Sequence, residues 1–407
     1  MAFSLSRNAK LYVSTSATIA LMTNANTWEV PILDGFNFTA NTGTQEIEIS
    51  EAGIAPVRGN QVFTTSIDPV DWSLQAYMRP RFNTLNTQVD AVERILWEAL
   101  AAGPKPTNTI TTNADGVATT RNDGGAGGLV IDFADSNRNE LLQLSLVFNL
   151  GTSTSPVWYH IEGAVVDTAE IDFAIDAIAS ISWGGFGTRL SEVTSSSDLA
   201  VLTSMLTNAA GDWLDSAFPT GAAGYLPAPT GVQACIRNKL STVSLIGKSG
   251  TAYGNAYTLA LTGGSLSIAN NITFLTPEAL GVVNNPCGHF TGQRVIGGNM
   301  TAYLKTGGAN DTADLLNDIL THSLSASGAD PTDFELTINV GGVAPASPYD
   351  TPVVQLLMAG AHLVIPVINI EDVVSVDIGF NALPYSGTDP DPAANNELVV
   401  TYFANET

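Results

Sequence analysis

The stretch Ala179-Ser180-Ile181-Ser182-Trp183-Gly184 returns, in pattern, as Val374-Ser375-Val376-Asp377-Ile378-Gly379. In both, alternate residues are apolar, the period of a strand that lays one face on a core. The flanking sequence says the same thing twice as well. Arg7-Asn8 is matched by Arg237-Asn238, Ala76-Tyr77-Met78-Arg79 by Ala302-Tyr303-Leu304-Lys305, and Ile95-Leu96 by Ile319-Leu320. A match held in order over this many elements reads as the duplication of a whole domain, not as a solenoid of short units.

Outward from these strands, most of the chain reads as strands and turns. In the first copy, residues 11–22, 28–33 and 36–38 have strand composition, and Asp34-Gly35 is a hairpin-type turn signal. The run Gln45-Glu46-Ile47-Glu48-Ile49-Ser50 alternates strictly and predicts a half-buried strand, as do Trp72 to Tyr77. Asp90 to Ala101 carries Val92, Ile95, Leu96, Ala99 and Leu100 on one helical face and stops at Gly103-Pro104. Strands follow at 144–148, 158–166 and 169–183. In the second copy, the helix is Asp311 to Leu324, with Leu315, Leu316, Ile319, Leu320 and Leu324 as its stripe. Strands at 334–340, 353–364 and 368–380 come after it. A third helix is expected over residues 197–210, in a connector that ends near Pro227-Ala228-Pro229. The expected organisation is a first domain at 1–190 with an inserted Gly- and Asn-rich loop at about 104–139, a linker at 191–233 and a second domain at 234–407. The insert has room for a short strand at 129–133. The expected fold class is mainly β: two tandem β-sandwich or barrel domains, each with one flanking α-helix and a long β-hairpin arm.

Composition narrows the function. The chain has 407 residues, with 15 Lys and Arg against 39 Asp and Glu, and a net charge of −24. Charged residues are only 13%, against about 25% in an average domain. Such a chain does not grip nucleic acid by neutralising phosphates. An acidic wall can instead repel a nucleic acid and let it slide; acids that simply confer solubility are the other reading. Cys235 and Cys287 form neither a disulfide framework nor a zinc spacing and read as reduced thiols. Residues 11–22 read as a strand, not a secretory signal, and no apolar run reaches the roughly 20 residues of a membrane helix. His160, His289, His322 and His362 are scattered. There is no nucleophile elbow, P-loop or dinucleotide fingerprint, and Gly124-Gly125-Ala126-Gly127-Gly128 lacks the following Lys and Ser/Thr. Asp389-Pro390-Asp391-Pro392 reads as a solvated loop. No catalytic, metal or cofactor site is expected.

Two features point to assembly. Around Val165 to Ile181, Ile171, Phe173 and Ile175 alternate with Glu170, Asp172, Ala174 and Asp176, giving one apolar face and one acidic face. Asp372 and Asp377 repeat the acidic character in the second copy. In a closed barrel of many strands the acidic face would line a water-filled bore. The segments 38–70, with Glu46, Glu48 and Glu51, and 270–292, with Glu278 and Leu280, exceed simple connections. They read as projecting arms that touch neighbouring subunits, at least partly in the next ring.

At this point the residues resemble a family. Asn8-Ala9-Lys10-Leu11-Tyr12-Val13, Trp28-Glu29-Val30-Pro31, Leu33-Asp34-Gly35-Phe36-Asn37-Phe38 and Trp72-Ser73-Leu74-Gln75-Ala76-Tyr77-Met78-Arg79-Pro80 look like the tail tube proteins of tailed bacteriophages. The resemblance implies a small β-sandwich or barrel flanked by a helix. It implies hexameric rings whose joined inner sheets form a negatively lined channel, stacked into a tube through which double-stranded DNA passes without sequence-specific binding. The duplication resembles two-domain members in which a homotrimer makes a pseudo-hexameric ring. The implied role is structural and not enzymatic, without cofactors or a membrane span. The implied location is the virion tail, assembled in the host cytoplasm. Implied partners are further copies of the chain and other tail proteins: terminator, baseplate or tip, tape measure, and a sheath if the tail contracts. Alternatives are a tail terminator or initiator ring, a secreted β-rich adhesin or surface-layer protein, and an outer-membrane barrel, which the two repeat-paired helices and the polar Asn405-Glu406-Thr407 do not fit.

Overall fold

A computed structural model describes residues 9–22, 26–49, 59–83, 88–102, 129–133, 141–151, 155–207, 236–247, 256–276, 286–323, 334–342, 352–370, 372–384 and 397–403. The fold is mainly β, as the alternation requires. The first half holds β1 (Lys10–Ser14), β2 (Thr27–Val30), β3 (Asn37–Thr39), β4 (Thr42–Ile49), β5 (Gly59–Ile67), β6 (Val70–Tyr77), β7 (Pro80–Asn83) and β8 (Gln88–Ala91). Helix α1 (Arg94–Ala101) comes next, then β9 (Leu129–Asp132), β10 (Leu144–Asn149), β11 (Trp158–Asp172), β12 (Ser180–Gly187) and β13 (Arg189–Glu192). Helix α2 (Ser196–Thr207) leads to the second half. There β14 (Thr242–Gly247), β15 (Ala256–Tyr257), β16 (Leu261–Ala269), β17 (Thr273–Leu275), β18 (Gly288–Phe290) and β19 (Val295–Tyr303) precede helix α3 (Thr312–Ser323). Strands β20 (Phe334–Val340), β21 (Val353–Leu363), β22 (Val367–Asn369), β23 (Ser375–Ala382) and β24 (Val399–Phe403) complete it.

All three expected helices form. Helix α1 starts later than its apolar stripe suggests, because Asp90 and Ala91 pair with Arg81 and Pro80 in the β7–β8 hairpin. Residues 11–22 are not one strand: β1 ends at Ser14, and Ile19–Leu21 make a single 3₁₀ turn. The expected break between strands at 166 and 169 is absent. Strand β11 runs through it, and the reversal comes at residues 173–179. A left-handed Gly163 (φ 57°) and a register shift between Val166 and Thr168 bend the strand, the usual work of a bulge. Its first half therefore pairs with β10 and β13, and its last residues with β12 and β16.

One run of antiparallel pairing, β3-β6-β12-β11-β16-β19-β23-β22, joins both halves. The two matched stretches take the same place in it. Ile181 lies between Ala76 and Ile171, and Val376 lies between Ala302 and Ile368. Beneath it, β2-β1-β10-β11 backs the first half, and β15-β14-β20-β21-β24 backs the second. A single buried cluster fills the space between, from Leu11 and Trp72 to Met300 and Val400. Inside it, Trp97 meets Trp183 edge to face at 5.0 Å, a favoured aromatic geometry. On the outside of the first half, α2 buries Leu202 against Tyr12, Ile19, Val147 and Trp158, so residues 196–207 pack on that half.

The halves also exchange structure. Strand β9, from the expected insert, pairs with β24 at the other end of the described chain. Glu93 and Trp97 of the α1 region meet Tyr402 of β24: the Tyr402 hydroxyl donates to Glu93 Oε1 at 2.6 Å, and Trp97 Nε1 donates to the Tyr402 oxygen at 2.6 Å. Arg294 supplies a second clasp. Its guanidinium donates to the carbonyls of Phe133 (2.9 Å) and Ala101 (3.3 Å) and lies 5.1 Å from the Phe133 ring centre and 3.8 Å from Glu397 Oε2. A cation at the last turn of α1 complements the carbonyls exposed there.

Candidate functional site

The long sheet has one face on the core and one uncovered. Its alternation puts small polar side chains on the uncovered face. One row crosses both halves through Asn381, Gly297, Ser267, Glu170, Ser182 and Gln75. The next runs Gly379, Asn299, Ser265 and Asp172. Asp71, Glu170 and Asp172 are exposed. Asp377 is half-buried and accepts from Thr301 Oγ1 (2.7 Å) and Asn369 Nδ2 (2.6 Å). Within the paired spans, none of these strands carries a Lys or Arg from Val165 of β11 onward or anywhere in β3, β6, β12, β16, β19, β22 or β23. Arg79, Arg294 and Lys305 stand just past strand ends. The face is therefore hydroxyl-rich and negative.

Of the five acids singled out in the sequence, Glu170, Asp172 and Asp377 lie on this face. Asp176 falls in the 173–179 turn and Asp372 in the β22–β23 turn, both exposed at one rim of the sheet. Asp71 was missed. The alternation from Trp72 to Tyr77 continues one step back through it, and it pairs with Thr39 and Phe186.

Between β11 and β16 the halves meet in a closed seam, Thr168–Ala269 through Asp172–Ser265. Ile171 and Leu266, opposite one another there, are both 0% exposed. Below the seam, the Asp167 carboxylate accepts from Ile272 N–H (2.9 Å), and Asn270 Nδ2 donates to the Leu100 carbonyl (3.0 Å). Burial pushes the Asp167 carboxyl up from its ordinary value, and the backbone donors pull it back. The two outer edges, β3 and β22, have no second partner among the described residues. Along β22 and its flanks, Val364, Ile365, Val367, Ile368 and Ile370 are exposed, Ile368 by 46% and Ile370 by 84%. Unpaired strand edges recruit other strands, and a contiguous apolar patch marks an interaction site.

The arm of the first half is the β4–β5 hairpin. Its apolar face is not half-buried within the chain: Ile47 and Phe63 on that face are exposed, as is Val62 on the opposite one. The strict alternation of 45–50 marks a face that the chain itself leaves uncovered. Glu46 is exposed and accepts from Asn60 Nδ2 at 3.2 Å, and Glu48 lies in β4. Glu51, Glu278 and Leu280 lie outside the described residues. The second arm differs. Phe274 of β17 packs on Phe186 of the first half at 6.0 Å, leaving Leu275 and Phe290 exposed.

Glu93 is a strongly perturbed acid. It is wholly buried, and desolvation pushes its carboxyl from 4.5 up to about 7, against the hydrogen bonds from Tyr402 and the Arg79 N–H. It serves the clasp. Among the described residues no three metal-ligating side chains cluster, and no helix is long and apolar enough to cross a membrane.

No family model matches the sequence. Over 390 residues the chain is 28% identical to "Tail tube protein pb6" of Escherichia phage T5, an alignment that covers 94% of this chain and 73% of that protein. The likeness spans both halves and supports kinship with the tail tube proteins of tailed phages.

Proposed function

We propose that this chain is a structural protein of a phage tail, and that three copies close a ring whose uncovered sheet faces form a DNA channel. The observation that carries the reading is the seam. It joins two like sets of strands, β3-β6-β12-β11 and β16-β19-β23-β22, into one sheet and leaves an open edge at each end. The seam is also a template for the contact between chains. Phe38 lies opposite Trp72, and Leu266 lies opposite Gly298, which the repeat matches to Trp72. Ile368 lies opposite Val376, as Ile171 does opposite Ile181. Transferring the Ile171–Leu266 pairing gives Ile368 against Phe38 of the next chain, flanked by Val367–Thr39 and Asn369–Asn37. Two tube units per chain then close after three chains, with pseudo-sixfold symmetry, and no edge is left open.

In that ring Asp71, Glu170, Asp172 and Asp377 face the bore, with Asp176 and Asp372 at its rim. DNA carries about one negative charge per 1.7 Å of its axis. A wall without cations does not hold it, and a negative wall keeps it centred. Screening over roughly 8 Å at physiological salt limits the effect to the layer next to the wall.

The test has two parts. Electron microscopy of the purified protein should reveal tubes, and mass measurement of a released ring should give three chains. A protein with Phe38→Cys and Ile368→Cys, with Cys235 and Cys287 replaced by serine, should then link chain to chain under mild oxidation. Six chains per ring, or single rings that never stack, would overturn the reading; the latter is the behaviour of a terminator.

A further inference from the structure

Among the described residues, the exposed apolar arm and an apolar hollow lie at opposite ends of the long sheet. Both arms leave from the end marked by Val70, Ala269 and Val295. At the opposite end, marked by Tyr77, Asp172 and Leu261, a hollow of about 250 Å³ opens between the sheets. Its walls are Phe173, Val243, Leu261, Met300 and Ile338, and Asn238 lies in it. Asn238 is only 4% exposed. Its Nδ2 donates to the Asp172 carbonyl at 3.0 Å, while its Oδ1 has no partner. A buried amide oxygen left unmatched is costly, and the residue that carries it forms part of the wall of this apolar hollow.

We propose that this hollow is the socket for the β4–β5 arm of a second copy in the adjoining ring, an inference that rests on the tube reading above. The arm has the complementary chemistry. Gln45 pairs with Phe63 and Ile47 with Gln61, so cross-strand geometry places an aromatic ring, a branched aliphatic side chain and two amides on one face. Phe63 and Ile47 are exposed in the chain. The Phe63 ring fills the space between the apolar walls. Charge agrees as well: Lys239 stands exposed at the mouth, and the arm carries Glu46 and Glu48. Plug and socket lie at opposite ends of the same sheet, so the contact is heterologous and propagates ring upon ring in one direction.

The test uses the full chain. Phe63→Ala should still give three-chain rings, and the protein concentration needed for tube growth should rise at least about tenfold, the equivalent of about 1.4 kcal/mol per ring added. Phe63→Cys combined with Ile175→Cys at the lip of the hollow, again without the native cysteines, should form disulfides in tubes and none in isolated rings. Tubes of Phe63→Ala that grow at the wild-type concentration would overturn the socket while leaving the tube reading intact, as would tubes of the double-cysteine protein that form no link. Wild-type protein that makes rings but no tubes would overturn the tube reading, and the socket with it.

Discussion

The seam between β11 and β16 and the free edge at β22 are built from the same pattern and have opposite fates. At the seam, Ile171 is sealed between Ile181 and Leu266. At the edge, Ile368 has Val376 on one side only and is 46% exposed. The acids differ too. The seam strand puts Glu170 and Asp172 on the uncovered face where the edge strand has Val367 and Asn369. Where the chain brings its own neighbour, the strand can be charged. Where, in the proposed ring, it captures one from another chain, it keeps apolar surface to drive the encounter, since burial is worth about 25 cal/mol per Å². Covalent connection thus relieves one interface of the need for stickiness and leaves the other with all of it.

The sharpest way to break the comparison is to put one substitution in both places. Ile171→Asp buries a charge without a partner and should cost several kcal/mol; denaturant melts should find it unfolded or nearly so. Ile368→Asp should leave the melt within about 0.5 kcal/mol of wild type, yet sedimentation should find single chains in place of rings. An Ile368→Asp protein that fails to fold would make the free edge a core element.

Next in size is the clasp that ties the halves behind the seam. Burial holds the Glu93 carboxyl near 7 against 4.5, so over that interval the folded state keeps a proton that the unfolded state releases. The favourable contribution is full below about 4.5 and is lost as pH rises through about 7. Stability should fall by an amount on the order of 3 kcal/mol from pH 4.5 to pH 8 through this group, and Glu93→Gln should remove that slope. An unchanged slope in the variant would assign it to other acids.

Smaller still is a packing exchange between the halves. In the first, Trp72 lies opposite Gly185; in the second, Gly298 lies opposite Phe380. A Cβ on Gly185 would meet the Val165 carbonyl oxygen and then the Trp72 ring at 2.6 Å, and one on Gly298 would meet the Ser265 carbonyl oxygen and then the Phe380 ring at 2.8 Å. The large and small residues have traded strands. Gly298→Ala should cost roughly 1–3 kcal/mol by overpacking, and adding Phe380→Ala should relieve the ring's share of that cost while the Ser265 carbonyl keeps the rest, so the double change falls below the sum of the single ones. Strict additivity in thermal melts would show the pair to be uncoupled. The smallest effect on stability belongs to the uncovered face. Glu170→Lys with Asp172→Lys should shift the melt by no more than about 0.5 kcal/mol, while DNA release from tubes of that variant should slow most at low salt.

Much of this was legible beforehand because it is local. Alternation placed Glu170 and Asp172 opposite Ile171, and stripes of apolar residues located the helices. Asp71 escaped because the strand was begun at its first large apolar residue, Trp72. The continuity of β11 escaped because Gly163 and the bulge let a strand turn without a loop, and the composition of a bent strand resembles that of two short ones. The pairing of β9 with β24 and the reach of Arg294 leave no local signal. Each joins positions that only the closed fold brings together. The traded Trp72 and Phe380 also blur the repeat in the sequence while preserving it in volume.

The clasp has a consequence for how the molecule is made. Trp97 and Tyr402 are 305 positions apart. At about 5–20 residues per second of synthesis, helix α1 waits on the order of 15–60 seconds for the strand that satisfies it. Throughout that interval the first half lacks its cover over Trp97 and Phe133, while strand β3 has long since left the ribosome. The segment that closes the core is thus the last of these elements to be translated. Maturation of the first half is thereby timed to completion of the second, and nascent chains on one messenger do not present a finished first half before both are in place.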